Sequence, residues 1–143
     1  DYSEKAIERA RAGSYNSFEV QRGLSTPRLL RHFVKKDTSW LVHENLRRRI
    51  RFERFNLRDW KGQAPGPFDI VLLRYVLIYL DDPSRTALLE RVRDNIRDDG
   101  FLFLGGAESV MGISTLFVPN EGDHVHYRPG PASGATENKR FNR

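Results

Sequence analysis

Residues 66–104 read GPFDIVLLRYVLIYLDDPSRTALLERVRDNIRDDGFLFL. Gly66-Pro67 punctuates the chain, and the apolar run Phe68–Leu73 that follows suits a buried parallel strand. Asp82-Pro83 opens a helix, with Leu88, Leu89, Val92 and Ile96 recurring at helical spacing. Asp99-Gly100 closes that helix, and Phe101-Leu102-Phe103-Leu104 reads as a second buried strand. Strand, helix and strand at this length predict a β-α-β unit with a right-handed crossover, hence an α/β fold built on a parallel sheet.

The flanking segments extend this reading. Residues 3–12 predict a helix that Ser3 caps, Glu4 complements electrostatically and Gly13 stops in a left-handed turn. Ala6, Ile7 and Ala10 make its apolar stripe, and Asp1 sits just ahead of it, where a preceding strand would end. Thr26-Pro27 starts a second short helix whose Leu29, Leu30 and Phe33 are expected to face inward. Trp40-Leu41-Val42 reads as a strand and Glu44-Asn45 as a turn. Ile50 and Phe52 alternate with Arg49, Arg51 and Glu53, the period of a half-exposed strand. Residues 115–118 and 124–128 predict a hairpin at the sheet edge, around Asn120-Glu121-Gly122-Asp123. Residues 130–143 are rich in Gly, Pro, Ser, Asn and charge and read as a flexible tail. Residues 15–49 are expected to form a small antiparallel β-subdomain.

Composition narrows the function. The 143 residues are 38% hydrophobic and 30% charged, too apolar for a disordered chain and too charged for a membrane-inserted one. No basic region followed by an apolar run opens the chain, so a cytoplasmic location is expected. The absence of cysteine excludes disulfides, thiolate nucleophiles and cysteine zinc sites. His32, His43, His124 and His126 form no metal-binding motif, and no metal is expected. A net charge of +5 admits an acidic partner without naming one.

Ligands of an open α/β sheet bind outside the carboxyl ends of its strands. That rule selects Asp1, Asn56-Leu57 and Leu73-Arg74-Tyr75. In Arg74–Asp81 (RYVLIYLD), Arg74, Tyr75 and Tyr79 stand among Val76, Leu77, Ile78 and Leu80. Such a stretch is either a buried connector whose tyrosines bond locally or one wall of a ligand pocket. The basic run Arg47, Arg48, Arg49, Arg51, Arg54 and Arg58 fits a solvated face, a surface for acidic helices or, third, nucleic acid. Gly105-Gly106 is too short for a phosphate loop and serves to turn the backbone after a strand. His124 and His126 read as exposed.

The order of motifs carries more weight than any one of them. Ala10-Arg11-Ala12-Gly13-Ser14-Tyr15, Glu19 with Arg22-Gly23-Leu24, Leu46-Arg47 with Ile50 and Phe52, and Asn56-Leu57 come first. Gly66-Pro67-Phe68-Asp69, Arg74-Tyr75-Val76-Leu77-Ile78-Tyr79, Leu104-Gly105-Gly106-Ala107-Glu108-Ser109 and Tyr127-Arg128 follow. Taken together, residues 1–129 resemble the C-terminal part of the CheR-type chemoreceptor glutamate methyltransferases. The resemblance implies a Rossmann-like fold that binds S-adenosylmethionine, with the first two strands, the glycine-rich cofactor loop and the N-terminal helical region lying in a longer protein.

Residue roles follow from the resemblance. Asp1 matches the acidic residue that binds the ribose hydroxyls, and Asn56-Leu57 the segment beside the adenine. Arg74 and Tyr75 match the segment beside the methionine part and the methyl group, and Tyr79 a tyrosine close to the transferring methyl. Arg74 and Tyr79 are therefore the expected catalytic residues; Asp1, Asn56, Leu57, Arg74 and Tyr75 are the expected cofactor contacts. The family usually has Asn at the position of Tyr75 and Cys at that of Leu73. The implied activity is methyl-ester formation on receptor glutamates, with the cytoplasmic helices of chemoreceptors as partner and no nucleic acid. The loop between Phe33 and Trp40 looks shorter than in peptide-gripping relatives, so no tethering C-terminal pentapeptide is expected. The competing reading is a non-catalytic, methyltransferase-like interaction module in a signalling system.

Overall fold

The β-α-β unit forms as the sequence predicts, in a computed structural model that describes residues 1–60, 66–120 and 125–130. The chain divides into two units, Asp1–Asn56 and Leu57–Arg143.

In the first unit, Ser3 Oγ accepts from the Ala6 amide and caps α1 (Glu4–Ala12), and Gly13 ends it at φ 61°. A side chain at that φ would be strained, which is why glycine serves as the stop. Strand β1 (Ser14–Asn16) leads into α2 (Ser17–Gln21), which opens with a reciprocal Asn16–Glu19 capping box. Glu19 also pairs with Arg9. Helix α3 (Thr26–His32) carries Pro27 in its first turn. Strands β2 (Phe33–Lys36) and β3 (Ser39–Val42) complete an antiparallel sheet of order β1-β3-β2. Its hairpin closes through Asp37-Thr38 alone, with Asp37 at φ 51°.

Three local expectations are corrected here. Leu30 is 65% exposed rather than inward-facing, because neighbours on a helix point about 100° apart and Leu29 takes the half-buried side. Glu44-Asn45 starts a one-turn helix, α4 (Glu44–Arg47), not a turn. Residues 50–55 form no strand ladder. Two backbone bonds tie this stretch to Asp1: the Asp1 amino group donates to Glu53 O (3.2 Å), and the Phe55 amide donates to Asp1 O (2.8 Å). Donation to one residue and acceptance from the residue two further on is the bonding of a parallel bridge, between Asp1 and Arg54.

The second unit holds β4 (Phe68–Leu73), a 3₁₀ turn (Leu77–Tyr79), α5 (Asp82–Asn95), β5 (Ile96–Leu104), β6 (Phe117–Pro119) and β7 (His126–Pro129). The sheet order is β4-β5-β7-β6, with β4 and β5 parallel and the other pairs antiparallel. A parallel pair with its crossover helix, flanked by an antiparallel hairpin, is part of a Rossmann-like sheet. The turn of that hairpin, and His124 with it, lies outside the described residues, as do residues 131–143 of the tail expected over 130–143; Gly130, its first residue, donates its amide to Leu116 O (2.7 Å).

Helix α5 is capped by Asp81, whose Oδ1 accepts from the Ser84 amide (3.0 Å). Leu88, Leu89 and Val92 bury its apolar stripe against Leu102, Leu104, Phe117 and Tyr127. Ile96 is not on that helix. It is the first residue of β5, which begins before Asp99-Gly100 and bulges opposite Phe68 and Ile70. The expectation of a buried β4 is also corrected. Only Leu73 is fully buried, while Ile70 is 58% and Leu72 70% exposed. β4 is the edge strand, and no described element covers the face on which Phe68, Ile70 and Leu72 alternate. No helix among the described residues is long and apolar enough to cross a membrane.

Candidate functional site

In the second unit, the parallel register pairs Leu73 with Leu104, which sets the residues after each strand side by side. Arg74 follows β4 directly, exposed, with its guanidinium 5.4 Å from the centre of the Tyr75 ring. Tyr75 adopts φ 57°, a left-handed conformation that a bulky residue holds only under constraint. The chain then drops Leu77 into the core and closes a 3₁₀ turn on Tyr79, which is 81% exposed. Arg85 Nε donates to Leu77 O (2.8 Å) and ties this turn to α5.

The constraint on Tyr75 is Glu108, a member of the Leu104–Ser109 motif for which the sequence alone predicts no role. Its side chain is buried, with 6% exposure for the residue. Oε2 accepts from the Tyr75 amide (2.6 Å) and the Gly105 amide (2.8 Å), and Oε1 from the Ile78 amide (3.4 Å). Burial pushes the Glu108 carboxyl up, but the amides of Gly105, Tyr75, Ile78 and Leu77 together outweigh it and hold it below the ordinary carboxylate range. Gly105 has no room for a side chain: a Cβ there would lie 2.8 Å from both Glu108 Oε2 and Tyr75 Cδ1. The available signal for Glu108 is a lone carboxylate shortly past Leu104, the end of β5.

Leu57 packs against the core of the same unit, and its carbonyl accepts from Arg91 Nη1 (3.1 Å). In the first unit, Asp1 Oδ1 accepts from the Ser3 amide (2.8 Å). Asn56 is half-buried at the end of that unit. Leu57, Arg74, Tyr75 and Tyr79 thus share the second unit, while Asp1 and Asn56 belong to the first.

The basic run is knitted into its own surroundings. Arg47 donates to Arg11 O (2.7 Å), Arg48 pairs with Glu44, Arg51 with Glu53, and Arg54 donates to Tyr2 O (3.2 Å). His126 packs edge-on against Phe103, with ring centres 4.2 Å apart.

Residues 1–125 match the family model described as CheR methyltransferase, SAM binding domain. The chain belongs to the CheR methyltransferase family. Among its relatives, the chemotaxis protein methyltransferase Cher2 of Pseudomonas putida is 35% identical over 131 residues, 91% of this chain and 46% of that protein. Chemotaxis protein methyltransferase 1 of Pseudomonas aeruginosa is 34% identical over the same share of each chain. The chemotaxis protein methyltransferase of Salmonella typhimurium is 31% identical over 121 residues, 82% of this chain and 42% of that protein. The chain spans about half the length of the curated relatives it matches. As a CheR SAM-binding domain, it takes S-adenosylmethionine as its cofactor.

The side chains present fit that cofactor chemically. A carboxylate such as Asp1 suits a ribose diol, and a guanidinium such as Arg74 suits an amino-acid carboxylate. Aromatic faces such as those of Tyr75 and Tyr79 suit a sulfonium cation.

Proposed function

We propose that this CheR domain serves in methyl transfer from S-adenosylmethionine to glutamate side chains of chemoreceptors, giving methyl esters. The observation that carries the reading is the Arg74–Tyr79 segment. Its exposed guanidinium and phenol stand at the carboxyl end of β4, where ligands of an open α/β sheet bind.

When bound, S-adenosylmethionine supplies a methyl group made electrophilic by its sulfonium sulfur. A glutamate carboxylate, with a reference pKa of about 4.3, is ionised at neutral pH and needs no general base from the protein. The work left to the chain is orientation and exclusion of water. Arg74 holds a carboxylate, the cofactor's or the acceptor's, by a charge-assisted pair. Tyr79 lines the methyl path, Tyr75 stacks beside Arg74, and Asp1, Asn56 and Leu57 hold the ribose and adenine. The substrate is the cytoplasmic helical region of a chemoreceptor, in the cytoplasm. The two-residue hairpin at Asp37-Thr38 supports docking without a tethering pentapeptide.

The competing reading, a non-catalytic interaction module, draws on Tyr75 standing where the family has Asn. The left-handed φ of Tyr75 speaks against it, since that bend suits an Asn. Calorimetry with S-adenosylhomocysteine on the intact protein separates the two. Binding together with methyl-ester formation on receptor supports the enzyme. No binding at millimolar ligand supports the module.

A further inference from the structure

We infer that Glu108 is a positioning residue for methyl transfer, a buried clamp that holds the Arg74–Tyr79 segment in shape at the ends of β4 and β5. The inference rests on the function proposed above.

A buried carboxylate is costly unless its charge is fully bonded, and here its bonds run to backbone amides rather than to a cation. Those amides belong to two different segments. Gly105 follows β5, whereas Tyr75 and Ile78 belong to the segment after β4, where no strand partner takes up their N–H groups. One side chain therefore joins both loops at the strand ends. The left-handed Tyr75 needs such an outside determinant, because its own preference opposes that φ. Gly105 keeps the joint tight by leaving space for the Tyr75 ring and the carboxylate.

The placement also decides what the clamp serves. Inward, Leu77 is held by core packing and by Arg85. Outward, Arg74 and Tyr79 are exposed and have no comparable packing to fix them. Loosening the Tyr75 and Ile78 amides would therefore misplace the two exposed side chains before it disturbed the core. Glu108 itself is too buried and too fully bonded to touch cofactor or substrate.

Gln is the informative replacement. It has the same shape, but its NH₂ group would face backbone donors where a carboxylate oxygen now accepts. In the intact protein, amide hydrogen exchange by NMR, S-adenosylhomocysteine affinity and single-turnover rate are measured together. Glu108→Gln should speed exchange at Tyr75 and Ile78 and leave Leu102 in β5 unchanged. Affinity and turnover should fall by about tenfold or more, as expected for misplaced reacting groups. Glu108→Asp, which keeps the charge, should recover part of each loss. Folded Glu108→Gln with wild-type exchange and affinity overturns the inference. Should that variant not fold, the wild-type protein decides: Tyr75 and Ile78 amides that exchange as fast as free amides also overturn it. Wild-type protein that binds no S-adenosylhomocysteine overturns the functional reading instead, and the exchange data still report on the clamp.

Discussion

The amide nitrogen of Tyr75 lies 2.6 Å from Glu108 Oε2, across 33 residues of chain. This bond joins the loop after one parallel strand to the loop after its neighbour. It also fixes the backbone at Tyr75, whose left-handed bend carries Arg74 and Tyr79.

The Glu108 carboxyl is held below its ordinary range in the fold. A group whose folded pKa is depressed contributes stability above its unfolded value, about 4.3, and loses it as pH falls through the folded value. The Arg74–Tyr79 segment should therefore stay ordered throughout the neutral range and release only in acid. Tracking the Glu108 carboxyl carbon by NMR checks this, and a midpoint at or above the ordinary glutamate value would contradict it.

Arg74→Ala should lower turnover by about 10²-fold or more, on the scale of misplaced reacting groups. Tyr79→Phe should cost less, if the ring matters more than the hydroxyl. Melting temperature and single-turnover methyl transfer on the intact protein separate catalysis from folding. If Arg74→Ala lowers melting while the folded fraction turns over as before, the catalytic role is wrong.

Tyr75 tests the left-handed bend directly. Asn tolerates that region well, whereas a β-branched residue there is strained by about 1–3 kcal/mol. Tyr75→Asn should melt close to the parent protein, and Tyr75→Val clearly below it. Equal melting of all three would show that the bend is not held as described.

A free peptide copying a chemoreceptor C-terminus should bind only weakly, because Asp37-Thr38 leaves the β2–β3 hairpin no extended loop with which to grip it. Isothermal titration measures this. Micromolar affinity for the free peptide would overturn docking without a tether.

What the sequence determined by itself is what short-range physics controls. Ser3 caps one helix and Gly13 stops it, Asp82-Pro83 opens another, and the spacing of Leu88, Leu89 and Val92 turns that helix's face to a core, all from residues within a few positions of each other. The strand-helix-strand order then placed Arg74 just past the carboxyl end of β4. Tertiary structure decided the rest, because it depends on which segments become neighbours. The apolar run Phe68–Leu73 reads as buried, yet no described element covers the sheet face that carries Ile70 and Leu72. Ile96 fits the helical period, yet pairing with Phe68 draws it into β5. Nothing near Glu108 in the chain announces a buried, charged clamp, since most of the amides that make its burial tolerable arrive from a loop about thirty residues upstream.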